Sequence, residues 1–168
     1  MSLRPLASSF FLMLACTWVQ AQVSEQVEVT GAVQQRLRLD AAALAAFPTD
    51  AIGQITQARN PVGANPPSTV RGVKLAALIG RAGLTPTARN DWKATVVVVS
   101  ATDGYRVVFS WPELTNTAVG DGVLVLFERD GKPLDEREGR IALISATDLR
   151  TGPRHVRNVA HIEVRSLN

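Results

Sequence analysis

Hydrophobic and polar positions along the chain are most tightly organised from Ala94 to Trp111, ATVVVVSATDGYRVVFSW. Four consecutive valines, Val96 to Val99, precede Asp103-Gly104, and Tyr105, Val107, Val108 and Phe109 follow it. β-Branched and aromatic runs on both sides of an Asp-Gly pair predict a hairpin, because glycine tolerates the positive φ of a tight turn. A continuous apolar strand is usually buried on both faces, which predicts this hairpin for the middle of a sheet.

The flanking pattern is weaker but readable. Gln26 to Val33 alternates polar and apolar residues and predicts a short strand bulged at Gly31. Gln35 to Leu39 reads as a second strand. Asp40 is placed to cap a helix over Ala41 to Ala46, stopped by Pro48. Ile52 to Gln57 is another alternating strand, and Arg59 to Ser68 (RNPVGANPPS) reads as a loop. Leu75, Leu78, Ile79 and Ala82 recur at helical spacing, predicting a helix over Lys74 to Ala82 that Gly83 ends. Beyond the hairpin, Pro112 to Leu114 reads as a helical turn and Val123 to Glu128 as a second buried strand. Asp130-Gly131 is a sharp turn and Asp135 to Arg140 a charged surface segment. Ile141 to Ser145 and His161 to Arg165 are the last strands. Strands with a few short helices interspersed predict an α+β fold with a mixed or antiparallel sheet.

Composition narrows the class. Hydrophobic residues make up 46% and charged residues 20% of the 168 positions, the balance of a globular protein rather than a disordered one. The formal charge of +3 comes without a dense Lys/Arg run, so nucleic acid is not an expected partner. Residues 1–21 read as an export signal: Arg4 supplies the positive start, Phe10 to Ala15 the apolar core and Val19-Gln20-Ala21 the cleavage site. The expected organisation is a signal peptide over 1–21 and a single domain over 22–168, periplasmic or secreted. The only cysteine, Cys16, falls inside the signal. It reads as an apolar filler, or alternatively as a lipid attachment site, and the domain then holds no thiol for a disulfide, a metal or a nucleophile.

Candidate chemistry concentrates in Asp148 to Arg157. Arg150, Arg154, His155 and Arg157 lie around Gly152-Pro153. A glycine-containing loop beside guanidiniums suits an anion, since arginine offers two parallel charge-assisted bonds; the plainer reading is a solvated basic loop. His155 and His161 are the only histidines, too few for a zinc site without cysteine, so no metal ligands are assigned. No G-x-S-x-G elbow surrounds Ser100, Ser110 or Ser145, and no catalytic residue is assigned. Asp103 in its Thr-Asp-Gly turn reads first as a residue bonding its own backbone. Trp111 and Tyr105 are the candidate platforms for a flat heteroaromatic ring, Trp111 also reading as core.

Four segments occur in one order: Arg71-Gly72-Val73-Lys74-Leu75 with its helix, then VVVVSATDGYRVVFSWPEL, then VLVLFERDGKPLDEREGRIALIS, then RHVRNVAHIEV. Together they resemble the molybdopterin-binding domain of the sulfite oxidase family. The resemblance runs from about Val27 to Val164 and rests mainly on the residues from Gly72 onward. It implies a sulfite-oxidase-like fold and a pterin ligand. Family enzymes hold molybdenum through the pterin and one protein cysteine, which this chain does not offer beyond Cys16. The resemblance therefore implies a periplasmic, non-catalytic pterin-binding protein that relays ligand occupancy to the periplasmic domain of a membrane receptor, of the kind that controls cyclic-di-GMP signalling. The alternative is a small molybdopterin-dependent oxidoreductase. In the first case Asp103 or Asp148 would accept from the pterin's paired donors, and Trp111 or Tyr105 would cover its face. Arg154, His155 and Arg157, with Arg150, would meet a phosphate, a glycerol-like tail or a partner's carboxylates. Such a composite site requires the turn at 102–105 and the exit at Trp111 to face the 148–157 loop.

Overall fold

A computed structural model describes residues 23–57, 67–85 and 91–167. The proposed signal and Cys16 lie outside them, as does most of the 59–68 segment. In chain order the elements are β1 (Gln26–Gly31), β2 (Leu37–Asp40), α1 (Ala41–Ala45), β3 (Ile52–Gln57), β4 (Ser68–Lys74) and α2 (Leu75–Ala82). Then come β5 (Thr95–Ala101), β6 (Arg106–Ser110), α3 (Trp111–Asn116), β7 (Val123–Arg129), β8 (Lys132–Pro133), β9 (Ala142–Ser145) and β10 (Val159–Ser166). They form two five-stranded sheets. One runs β2-β1-β10-β5-β6; the other runs β3-β4-β7-β8, with β9 also paired to β7. The β1–β10 pair is parallel and the other pairs are antiparallel, so the α+β class with a mixed sheet holds.

The main core lies between the sheets. Val27 and Val29 of β1, Val97 and Val99 of β5, Phe109 of β6 and Ile162 and Val164 of β10 meet Val123, Val125 and Phe127 of β7 and Leu143 of β9. Leu44 of α1 and Leu75, Leu78, Ile79 and Ala82 of α2 join the same cluster, so the spacing read as one apolar helix face is that face. On the opposite side of β7, Leu124 and Leu126 form a smaller cluster with Val70, Leu134, Ala142 and Ile144. Burial of β7 on both faces is why it reads as an unbroken apolar run. Asp40 caps α1, accepting from the Ala43 N–H at 2.8 Å. Among the described residues no helix is long and apolar enough to cross a membrane.

Four expectations are corrected. The Ala94–Trp111 hairpin is not wholly central: β5 lies inside its sheet between β10 and β6, but β6 is the edge. The chain leaves that edge through a capping box, in which Ser110 Oγ accepts from the Glu113 N–H at 3.1 Å and Glu113 accepts from the Ser110 N–H at 3.4 Å. This box extends the expected turn at Pro112 into α3. The segment before the second helix is a strand, β4, held between β3 and β7, and the helix begins only at Leu75. Gly72 hides that strand in the sequence, yet the sheet requires glycine there because a Cβ would press on the Val125 backbone. Finally, β1 shows no bulge at Gly31; the irregularities lie in β10 between Val159 and His161 and in β7, where Phe127 is the extra residue opposite the Arg71–Gly72 step of β4.

Gly31 has φ +92°, and a Cβ there would collide with the Val164 carbonyl. Gly104, in the hairpin turn, has φ +87° and open space around it. Gly104→Ala is therefore expected to destabilise the fold only by the backbone strain it introduces, about 1 kcal/mol, and Gly31→Ala by clearly more, roughly 3 kcal/mol. Urea unfolding of the two variants measures the difference.

Candidate functional site

The hairpin and the 148–157 loop meet. Tyr105, at the end of the Asp103-Gly104 turn, donates its hydroxyl to the Pro153 carbonyl at 2.6 Å. The Thr102 N–H donates to the Asn158 carbonyl at 3.0 Å. At the other end of β6, Arg154 donates to Glu113 of α3 at 2.9 Å, and its guanidinium lies 4.6 Å from the centroid of Phe109. The same guanidinium holds Asp148 through two donors, Nε to Oδ2 at 2.6 Å and a second bond to Oδ1, while Ser145 Oγ donates to Oδ1 at 2.7 Å. One arginine thus ties the loop to itself, to the end of β9 and to the first turn of α3.

The electrostatics follow from these bonds. The Arg154 hydrogen bonds hold the Asp148 carboxyl below its usual range against the opposing effect of burial, with Ser145 assisting. Reciprocally, Asp148 and Glu113 raise the Arg154 pKa. A carboxylate has about four lone-pair sites, and Asp148 uses three of them on neighbours within the chain.

A second cluster lies behind the loop. Arg129 of β7 forks onto Glu138, Nε to Oε2 at 3.0 Å and NH2 to Oε1 at 2.6 Å, and its NH1 also reaches Gln57 and Ser68. His155 Nε2 sits 3.5 Å from Glu138 Oε1. Burial pushes the Glu138 carboxyl up, but the facing His155 and the hydrogen bonds and charge of Arg129 outweigh it and bring the pKa down to about 2. The charged segment expected on the surface therefore contains one largely enclosed carboxylate. Among the described residues, Thr102 Oγ1 in the hairpin turn and His155 Nε2 in the loop are buried without a hydrogen-bond partner, the latter only facing Glu138.

Not every candidate joins these contacts. Asp103 accepts from the Tyr105 N–H at 2.9 Å, the self-bonded turn that its sequence context suggests. Trp111 starts α3 and packs, partly buried, against the main core. Arg150 and Arg157 are exposed, with Leu149 fully exposed beside the former. Sequence reasoning missed Glu113, Arg129 and Glu138. For Glu113 the signal was present, since Ser110-x-x-Glu113 is a capping-box spacing. Arg129 and Glu138 gave none, because a paired charge and a solvated one look alike in a string of letters.

The fold is shared with a solved structure, the sulfane dehydrogenase SoxCD from Paracoccus pantotrophus, at a TM-score of 0.61 and 15% identity. The likeness covers 84% of this chain and 39% of that one, so the chain spans well under half the length of the protein it matches. No protein-family model matches the chain, and no curated protein matches it in sequence.

Glu138 provides a pH test with a definite sign. Its pKa is lower in the folded chain than its ordinary 4.5, so its contribution is complete above that value and is lost as pH falls from about 4.5 towards 2. Glu138→Gln is expected to cost about 2–3 kcal/mol at pH 7 and little at pH 2.5, which urea unfolding at the two pH values measures. Arg154→Met, leaving Asp148 and Glu113 unpaired, is expected to cost about 2–3 kcal/mol at pH 7 in the same assay.

Proposed function

We propose that this protein acts outside the cytoplasm as a non-catalytic pterin-binding protein and relays ligand occupancy to a membrane receptor. The observation that carries the reading is the junction of hairpin turn and 148–157 loop. Tyr105 with Pro153, and Arg154 with Glu113 and Asp148, hold these two segments as one unit bearing two exposed guanidiniums, Arg150 and Arg157. The family resemblance of the sequence points to the pterin as ligand, and the fold shared with a dehydrogenase agrees with that resemblance without bearing on catalysis.

The residues present fit the organic part of a molybdenum cofactor better than the metal. Among the described residues no group of three or more His, Cys, Asp and Glu could hold a metal ion, and the only cysteine is Cys16. That donor set does not fit molybdenum, and the oxidoreductase reading is favoured only by the fold shared with a dehydrogenase. For a pterin the chain offers a half-exposed phenol ring at Tyr105, one remaining acceptor site on Asp148, and arginines free to bond a phosphate in parallel pairs. A pterin edge carrying paired N–H donors would bond Asp103, or give one of its donors to Asp148; its ring would lie on Tyr105 or Trp111, and its tail would extend towards Arg150 and Arg157.

Fluorescence quenching with biopterin and with dihydroneopterin monophosphate tests this. Both are expected to bind, the phosphorylated one more tightly. Arg157→Ala, at an exposed position, is expected to weaken the phosphorylated pterin about tenfold, the equivalent of one lost charged bond, and biopterin little. Absence of quenching by either pterin overturns the reading, and stoichiometric molybdenum in native mass spectra of the purified protein overturns its non-catalytic part.

A further inference from the structure

Among the described residues, the outward hydrogen-bonding groups of the edge strand β6 meet no neighbouring strand. The Ala101 N–H donates to the Tyr105 carbonyl at 2.9 Å, and the register above the turn runs Ser100↔Arg106, Val99↔Val107, Val98↔Val108 and Val97↔Phe109. Bonded and non-bonded pairs alternate in an antiparallel ladder. Val107 and Phe109 therefore exchange bonds with β5, while the N–H and C=O of Arg106 and Val108 point away from it. The next outward N–H in the series, that of Ser110, is the one Glu113 caps. Val108 is 54% exposed, on the sheet face that also carries Arg106, Val96 and Val98. An edge strand with an exposed apolar residue and free main-chain groups is a template for another strand.

Charge decides which strand. Arg106, Arg150 and Arg157 are exposed and make no ion pair among the described residues. The last two ride on the loop that Tyr105 and Thr102 fasten to the hairpin. The nearby carboxylates are already engaged: Asp148 and Glu113 by Arg154, Glu163 by Arg165 at 2.6 Å, and Asp103 by its own turn. We propose that β6 accepts an extended, acidic segment of another protein as an added strand. The segment's main chain pairs with Arg106 and Val108, an apolar side chain covers Val108, and its carboxylates meet the arginines. A second copy fits less well, because pairing β6 with itself would bring two arginine-rich rims together. The inference shares Arg150 and Arg157 with the pterin reading but rests on the β6 edge and Arg106, which that reading does not use.

The test uses the purified protein and a fluorescein-labelled peptide, Thr-Glu-Val-Glu-Val-Glu-Thr, beside its counterpart with lysine for glutamate. The acidic peptide is expected to bind with an affinity that falls with salt, at least tenfold more tightly than the basic one. Val108→Pro removes an outward N–H while sparing the ladder to β5, and is expected to weaken the acidic peptide at least tenfold. Arg106→Glu, which leaves the strand's apolar residues untouched, is expected to abolish the preference for the acidic peptide. In the unmodified protein, hydrogen exchange at the Arg106 and Val108 amides is expected to slow when the peptide binds. Failure of the acidic peptide to bind, exchange at both amides unchanged by it, or a concentration-dependent dimer lost in Val108→Pro would each overturn the proposal.

Discussion

The Arg154 guanidinium is the interaction on which the geometry of the site depends. A long segment without α-helix or extended strand connects β9 to β10, and its course is set by where this one cation finds its partners. Asp148 and Glu113 come from opposite sides of it, and Phe109 lies beneath its plane. Planar, five-donor geometry lets arginine satisfy two carboxylates and an aromatic face at once, which the point charge of a lysine would not do. Pairing of this kind fixes position more than it adds stability, because both charges must leave water to make it. The edge strand, the first turn of α3 and the loop consequently keep one arrangement.

The second ion cluster anchors the same loop from behind. Glu138 is held by Arg129 of β7 and faced by His155, the residue next to Arg154. Consecutive residues of the loop thus look in different directions, Arg154 towards the hairpin sheet and His155 towards the β7 sheet. Val156 then enters the core and bridges to Leu143 of β9, exchanging backbone bonds at 2.8 and 2.9 Å. A segment rich in arginine, which suggests a mobile solvated loop, is in this way fastened at three successive positions.

Much of the fold was legible because its signals are local. The valine run, the Asp-Gly and Asp130-Gly131 turns, the Asp40 cap and the apolar face of α2 each follow from a few neighbouring residues, and each appears where the pattern places it. The strand β4 was not legible: its glycine, needed for close approach to β7, breaks the alternation that announces a strand. The position of β6 at an edge was hidden for another reason. Val107, Val108 and Phe109 look equally apolar, and only pairing distinguishes the exposed Val108 from the buried pair around it. In the candidate site, residue types were readable but partners were not. Arg154 and Arg157 occur in one short motif, yet one is consumed by Asp148 of its own loop and by Glu113 far back in the sequence, and the other faces solvent.

That division between consumed and free arginines bears on how any anionic ligand or partner would be met. A guanidinium shared between two carboxylates carries no net positive charge outward, so Arg154 shapes the surface without attracting an anion. Attraction must come from Arg106, Arg150 and Arg157, which make no ion pair among the described residues and whose exposure lets salt screen them. On such a surface an anion would be oriented by the paired scaffold and drawn in by the exposed guanidiniums. Orientation should then survive high ionic strength while the rate of encounter falls, since screening acts on exposed charges far more than on the enclosed Asp148–Arg154–Glu113 cluster that holds the scaffold in place.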